Sequence, residues 1–219
     1  MNKELLQKIL KQRRSIRRWK QTEIPRWVIE EAVSMAMLAP NGGNAQNWYF
    51  IAVLNKKVIQ EIAEIVLTKA LAITEAGNNT TWQQKLAAWA KNTVLFRTAP
   101  ALITVYQSSY QNIADRFISQ IGIEEKSPLL RDVEQNRAGI NSGLQSVSAA
   151  VSYLLLALSE AGLGAVWMTS PLIAKKELEE LLPSPPGTNL VSLIALGYPE
   201  ESPENRPRKS LSEVIKFIE

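Results

Sequence analysis

The chain contains neither cysteine nor histidine among its 219 residues. Without cysteine it can form no disulfide, no thiolate nucleophile and no Cys-ligated metal or iron–sulfur centre. Without histidine, Ser-His-Asp and Cys-His catalysis are excluded and the usual zinc ligands are missing, so we expect no metal site. Any acid–base chemistry must use carboxylates, lysine, tyrosine or water, or must depend on a cofactor.

Long hydrophobic runs are also missing. No uninterrupted apolar run is long enough to span a membrane, and polar residues interrupt any hydrophobic region of a secretory signal at Glu4, Gln7, Lys8 and Lys11. The hydrophobic content of 46% is typical of a globular protein. We therefore expect a cytoplasmic protein without a membrane partner.

Two common nucleotide-binding motifs are absent as well. The chain has no G-x-x-x-x-G-K-[ST] loop, and no G-x-G-x-x-G follows a predicted strand, because "GLG" at 162–164 ends a helix. A phosphate-bearing ligand would have to be held by residues that are distributed along the chain.

Positive charge is concentrated at the N-terminus. Residues 1–20 contain eight lysines and arginines and one glutamate, a net charge of +7, whereas the whole chain carries +4. The cluster is compatible with a basic arm for nucleic acid, with a solvated helix face, or with a local anion site.

Hydrophobic periodicity predicts helices that alternate with a few buried strands. The predicted helices cover residues 3–12, 25–38, 58–72, 82–95, 140–158 and 174–182. The predicted strands are "WYFIAVLN" (48–55), "PALITVY" (100–106), a short strand around 164–169, and "LVSLIALG" (190–197). Residues 107–136 have no firm period, and Pro128 interrupts them. We expect one domain over residues 1–219, with an α/β or α+β sheet.

Two arginine clusters share one spacing. Arg13, Ser15 and Arg17 alternate, so in an extended segment their side chains lie on one face. Arg206 and Arg208 in "RPRK" have the same spacing. The two clusters could converge on one phosphate through bidentate guanidinium contacts, although each alone is also typical of a solvated surface.

The stretch "APNGGNAQNW" (39–48) holds more glycine and amide side chains than a turn requires. This composition favours a loop that approaches a ligand, with an ordinary surface turn as the alternative.

In their order along the chain, these segments resemble the FMN-dependent nitroreductase family. The resemblance rests on "RRSIRRWKQTEIPRWVIEEAVSMAMLAPNGGNAQNWYFIAV", "LLLALSEAGLGAVWMTSPL", "LIALGYPEE" and "RPRKSL". It implies an α+β fold with three α-β-α layers, in which helices flank a mixed or antiparallel sheet. It also implies an intertwined homodimer with FMN in its interface. The expected activity is hydride transfer from NAD(P)H, through flavin N5, to nitroaromatics, quinones or related electron-poor acceptors in a ping-pong cycle. The basic N-terminus then becomes a flavin and phosphate site, and no nucleic-acid partner is expected.

The resemblance also implies roles for individual residues. One subunit would bind the flavin through Arg13, Arg14, Ser15 and Arg17, with Arg13 at the phosphate. Arg17 would lie at the pyrimidine edge, where a fixed cation makes reduction easier. The phosphate would also contact Arg206 and Arg208, with Lys209 as an alternate. The other subunit would contribute Pro40, Asn41, Gly42, Asn44 and Gln46. Thr169 and Ser170 would lie where family members aim a backbone N–H at flavin N5, so that Arg17, Thr169 and Ser170 form the catalytic set. Met168 would also contact the cofactor.

Several positions depart from the family pattern. Asn47 stands where many members have proline, and Thr169-Ser170 replaces a Glu-Gly pair. These differences leave two alternatives open: a specialised dehalogenating or flavin-consuming member with a lid built from residues 107–136, or a non-catalytic flavin-binding protein. Tyr110 and Phe117 in that segment are candidates for a substrate-side wall or for ordinary packing.

Overall fold

A computed structural model describes residues 3–76 and 80–219 of the chain. In sequence order, the helices and strands are α1 (Lys3–Gln12), α2 (Arg26–Ala36), β1 (Trp48–Val53), α3 (Lys56–Ala76), α4 (Thr80–Thr93), β2 (Ala101–Ser108), α5 (Ile113–Gln120), α6 (Pro128–Ala138), α7 (Ser142–Glu160), β3 (Gly164–Met168), α8 (Lys175–Leu181) and β4 (Thr188–Gly197). Short 3-10 turns lie at Gly42–Asn44, Leu95–Thr98, Ser170–Ala174 and Leu211–Glu213.

The four strands of the described residues form one sheet in the order β1-β2-β4-β3, and each neighbouring pair is antiparallel. A register shift between Val105 and Tyr106 interrupts the β2–β4 ladder. Outside the named strands, Ser15 forms a parallel bridge with Ala165. The chain before α2 is thereby attached to β3, one of the two edge strands of the sheet.

Helices cover both faces of this sheet. On one face Ile103 and Ile194 pack with Val151 and Leu154 of α7 and with the buried side of α2. On the other face Leu102 and Leu193 pack in a cluster to which α3 and α8 contribute. Leu193 and Ile194 are adjacent in β4 and point to opposite faces, because successive side chains of a strand alternate. The predicted α+β fold with three α-β-α layers is confirmed.

The segment without a clear period consists of two helices. Asn112 caps α5 in a capping box with Asp115, and Ser127 caps α6 through the backbone N–H of Leu130. Pro128 occupies the first turn of α6, where its missing N–H is not needed. Pro128, predicted to interrupt the stretch, separates it into two helices by beginning the second one. We refer to α5, α6 and the residues joining them (113–138) as the α5–α6 segment.

The range Pro128–Glu160, which contains α6 and α7, is long and apolar enough to cross a membrane by length and composition alone, although no spanning segment was expected. Of its most apolar window, 44% is buried inside the protein. The buried side of α7 packs against the sheet and α2. Core helices meet the same criterion, and we interpret α7 as one of them.

Candidate functional site

After α1, the chain runs in an extended conformation along the start of β3. The backbone N–H of Ile16 donates to the carbonyl of Ala165 (3.1 Å), and the side chain of Ile16 is buried. Trp19 is also buried, and its Nε1 donates to the carbonyl of Gly164 (2.9 Å). We call residues 13–20 the N-terminal segment. Its inward side chains anchor it, and Ser15 and Arg17, which flank Ile16, point to the other side.

A cleft of about 670 Å³ lies between the N-terminal segment and the chain that follows β4. We call it the basic cleft, because six cationic side chains line it: Lys11, Arg13, Arg14, Arg17, Arg206 and Arg208. Ser15 also lines the cleft, and Glu204 is the acidic residue among the described lining residues. The two arginine clusters, nearly 190 positions apart in the sequence, therefore meet at one site.

The basic cleft has more positive charge than its own carboxylate can balance. Partial burial of Arg13, followed by the positive charges of Arg14 and Arg208, lowers the pKa of the Arg13 guanidinium from its ordinary value. Arg14 also donates to the carbonyl of Arg13 (2.7 Å). A bound anion would relieve this repulsion, and planar guanidinium groups match a phosphate well. The donor set of the cleft therefore fits a phosphate dianion.

The loop over residues 40–46 is held in a strained conformation. Asn44 and Gln46 have φ angles of 52° and 45°, and Gly43 has a φ of 58°. Asn41 stabilises the loop, since its Oδ1 accepts from the backbone N–H of Gln46 (2.9 Å). Positive φ angles in non-glycine residues are uncommon and cluster at ligand sites. The backbone conformation of the loop is thus more typical of a ligand site than of a simple reversal of the chain.

The predicted loop residues are separate from the basic cleft in the single chain. The described residues that line the cleft include none of Pro40, Asn41, Gly42, Asn44 and Gln46. A site shared between two subunits would have such a separation within each chain.

Tyr110 packs directly on this loop. A Cβ atom at Gly42 would lie 2.8 Å from the Tyr110 hydroxyl oxygen, closer than real Cβ contacts. The backbone N–H of Gly42 also donates to Ser146 Oγ (3.3 Å). The absence of a side chain at Gly42 therefore makes room for Tyr110. This contact within the chain is additional to the predicted role of Gly42 at the flavin. The sequence contains no local signal for this contact, because the two residues are far apart along the chain.

Asn47 fastens the end of the loop to β2. Its Nδ2 donates to the carbonyl of Ser108 (3.2 Å), and its own carbonyl accepts from the Ser108 N–H (2.8 Å). Its side chain is buried, and Oδ1 has no hydrogen-bond partner in the described part of the chain. A proline at this position could not make the side-chain contact. The departure from the family pattern thus has a structural consequence next to the loop.

The other predicted residues lie at the far end of β3 and in the C-terminal chain. Met168 is buried at the end of β3, Thr169 is exposed, and Ser170 begins a 3-10 turn. Met168 is three residues along β3 from Ala165, about 10 Å at 3.3 Å per strand residue, and Thr169 and Ser170 follow beyond the end of the strand. A ligand that contacts both the basic cleft and Ser170 must be elongated. Lys209 is exposed beside Arg208 and is outside the lining of the cleft.

Comparison with known proteins gives a consistent result. A sequence model described as the Nitroreductase family matches residues 10–198. An iodotyrosine deiodinase of Thermotoga neapolitana is 28% identical over 211 residues, which are 95% of this chain and 96% of that protein.

Solved structures share the fold over almost the whole chain. A BluB-like flavoprotein of Clostridium difficile 630 superposes with a TM-score of 0.84 and 26% identity, covering 98% of this chain and 99% of that one. An oxidized iodotyrosine deiodinase bound to FMN and 3-iodo-L-tyrosine superposes with a TM-score of 0.70 and 25% identity, with the same coverage.

Proposed function

Because the chain belongs to the nitroreductase family, we propose that it is an FMN-dependent oxidoreductase. It takes hydride from NAD(P)H and passes it to a small electron-poor acceptor such as a nitroaromatic or a quinone. The observation that carries this proposal is the convergence of Arg13, Ser15 and Arg17 with Arg206 and Arg208 on the basic cleft. FMN supplies, when bound, the redox chemistry for which the chain has no cysteine or histidine.

The phosphate end of the site is assigned to the partly buried Arg13 and to the two exposed arginines of the C-terminal chain. Arg13, Arg206 and Arg208 hold the phosphate, whose charge offsets the partial burial and the repulsion from Arg14 and Arg208 that lower the pKa of Arg13. Ser15 and Arg17 follow at alternate positions on the same wall of the cleft. Arg17 then lies at the pyrimidine edge of the ring, where its positive charge stabilises the negative charge that develops there on reduction.

The residues after β3 are assigned to the reacting end of the ring. Thr169 and Ser170 present backbone N–H groups to flavin N5, and Met168 anchors them in the core. A backbone donor is suited to this task because the turn Ser170–Ala174 holds it in one orientation. Protons come from water, since the site is open to solvent and has no histidine.

The complete site is assigned to a homodimer. The chain after β4 ends in exposed apolar side chains, among them Leu211 (73% exposed), Phe217 (76%) and Ile218 (93%). A monomer rarely exposes such a series, and a second copy would cover it. In that arrangement, the loop over residues 40–46 of one subunit covers the flavin that is held by the basic cleft of the other.

A second candidate activity is reductive dehalogenation of a halogenated phenol. It is favoured by the similarity to iodotyrosine deiodinases, in particular the relative that aligns over 95% of this chain. The reaction breaks a carbon–halogen bond, forms a carbon–hydrogen bond and releases halide, and it consumes two electrons and one proton. Tyr110, which packs on the loop over residues 40–46, and the α5–α6 segment that follows it in the chain would form the wall around such a substrate.

The test is to purify the protein and to measure its absorption, since an oxidised flavin has bands near about 370 and about 450 nm. The released flavin is identified, and NADH and NADPH oxidation is followed with a nitroaromatic acceptor. Halide release from 3-iodo-L-tyrosine is measured in parallel with the chemically reduced protein. A protein that neither copurifies with FMN nor binds it would contradict the proposal. Bound FMN without turnover of any acceptor would indicate a non-catalytic flavin-binding protein.

A further inference from the structure

Glu201 holds the N-terminal segment from behind the basic cleft. Its Oε1 accepts from the backbone N–H of Arg17 (2.5 Å) and from that of Arg18 (3.2 Å). Its Oε2 accepts from Arg18 Nε (3.2 Å). Glu201 does not line the basic cleft but lines a smaller cleft with Arg14 and Ile16. Its carboxylate therefore acts on the backbone that carries Arg17 and has no place among the groups that face the ligand.

The position of Glu201 in the chain links the two walls of the basic cleft. The N–H of Lys20 donates to the Tyr198 carbonyl (2.9 Å), and the N–H of Glu200 donates to the Arg18 carbonyl (3.0 Å). Glu201 makes the last contacts of this pairing. The chain then lines the basic cleft with Pro203 and Glu204 and with Arg206 and Arg208, which we call the tail arginines. The Glu201 carboxylate thus holds the N-terminal segment against the start of the chain that carries the tail arginines, so that both line one cleft.

The Glu201 carboxylate is suited to remain ionised. Partial burial, with 19% of the side chain exposed, opposes its charge. The hydrogen bonds from the Arg17 N–H and from Arg18, with the Arg18 charge, outweigh that effect and lower the pKa of Glu201. The contacts are therefore complete at neutral pH and are lost as the pH falls through the lowered pKa.

We propose that Glu201 is a positioning residue for the flavin site, which keeps Arg17 and the tail arginines facing the same ligand. This inference rests on the proposed FMN function. If Glu201 positions the site, its removal should change FMN affinity and the midpoint potential in the direction opposite to the one that electrostatics alone predicts. Removal of a negative charge near six cations should, by Coulomb's law alone, tighten phosphate binding and make flavin reduction easier. Loss of a positioning contact should weaken binding and make reduction harder.

Glu204 provides a matched control, because it lines the same cleft and is exposed. Four single variants are compared in two pairs. Glu201→Ala is compared with Glu204→Ala, and Glu201→Gln is compared with Glu204→Gln. The dissociation constants of FMN and riboflavin are measured on apoprotein by flavin fluorescence, and the midpoint potential is measured by spectroscopic redox titration. Circular dichroism and the Tm verify that each variant is folded.

We expect Glu201→Ala to weaken FMN binding about tenfold, because hydrogen bonds to a charged group are lost, and to lower the midpoint potential. Glu204→Ala should tighten FMN binding. Glu201→Gln keeps an acceptor for the two backbone N–H groups but loses the acceptor for Arg18 Nε, so its effect should be smaller than that of alanine and in the same direction. If Glu201→Ala does not fold, Glu201→Gln is compared with Glu204→Gln. FMN binding should then weaken in the first variant and tighten in the second.

FMN binding that tightens in the Glu201 variants, as in the Glu204 variants, would overturn the positioning role and leave the proposed function intact. Unchanged FMN binding together with an unchanged potential would also overturn it. A wild-type protein that binds FMN no more tightly than riboflavin would instead remove the phosphate assignment of the proposed function.

Discussion

The guanidinium of Arg137 on α6 binds the carboxylate of Asp115 on α5 through both Nε and Nη2. This pair joins the two helices of the α5–α6 segment, which otherwise carries exposed apolar residues such as Phe117. The hydrogen bond from Arg137 is the largest cause that lowers the pKa of Asp115. The contact between α5 and α6 through this pair therefore depends on an ionised Asp115.

The first prediction concerns this pair and pH. Because the pKa of Asp115 is lowered in the folded protein, the pair contributes stability above the ordinary pKa of aspartate and loses it as the pH falls through the lowered value. We expect hydrogen exchange in residues 113–138 to increase at acidic pH, and Asp115→Asn to show the same increase already at neutral pH. Asp132→Asn is the control on the same segment. Equal exchange in the wild type and Asp115→Asn at neutral pH would contradict the prediction.

The second prediction concerns the contact between Gly42 and Tyr110. Gly42→Ala places a Cβ 2.8 Å from the Tyr110 hydroxyl oxygen. Because the half-buried Tyr110 ring can shift, we expect a cost at the low end of overpacking, about 1 kcal/mol. In a Tyr110→Ala background the same substitution should cost less, and the difference is the interaction free energy of the two positions. Denaturant unfolding of the four proteins in this double-mutant cycle provides the measurement. Additive effects would mean that the two residues do not pack in solution.

The third prediction concerns the phosphate. Arg208→Ala should weaken FMN binding by about 1.5–3 kcal/mol and riboflavin binding far less, because the lost contact is a charge-assisted hydrogen bond to phosphate. Lys209→Ala is the matched control, since its side chain is adjacent and lies outside the cleft lining. Flavin fluorescence titrations of the apoproteins provide the dissociation constants. Equal losses for both ligands would point to a structural role of the tail, and a larger effect of Lys209→Ala would reassign the contact.

The fourth prediction concerns Arg17 and redox poise. Arg17→Gln should leave the fold intact and FMN still bound but lower the midpoint potential by several tens of millivolts, since about 30 mV corresponds to about 1.4 kcal/mol for a two-electron couple. Reduction by NAD(P)H should slow accordingly. Lys20→Gln is the control, because Lys20 is an exposed cation of the same segment that lies outside the lining of the cleft. An unchanged potential in Arg17→Gln would show that another cation serves the pyrimidine edge.

The fifth prediction concerns assembly. If the loop of one subunit covers the flavin of the other, FMN should raise the Tm of a dimer by mass action. Light scattering at micromolar concentration should give twice the mass of the 24.4 kDa chain. Phe217→Asp, which alters an exposed apolar residue of the tail, should favour the monomer and weaken FMN binding. A flavin-loaded wild-type monomer would contradict this arrangement.

Periodicity in the sequence predicted most of the fold. The α7 helix was predicted over 140–158 and extends over Ser142–Glu160, and all four strands were located within a few residues. These elements are long or strongly apolar, so side-chain burial follows the helical or strand period directly. The α5 and α6 helices were missed because α5 is only 8 residues long, because α6 has no buried residue, and because capping by Asn112 and Ser127 was not recognised.

The sequence by itself determined the chemistry available to this protein: no thiol, no imidazole, and arginines at alternate positions near both ends. Only the tertiary structure decided that the two arginine clusters form one cleft, that Tyr110 occupies the space above Gly42, and that Glu201 holds the backbone of Arg17. The physical reason is that residue type and periodicity are local properties. Contacts between residues far apart depend on how the sheet pairs its strands, and the pairing that attaches the N-terminal segment to β3 and to the end of β4 brings these groups together.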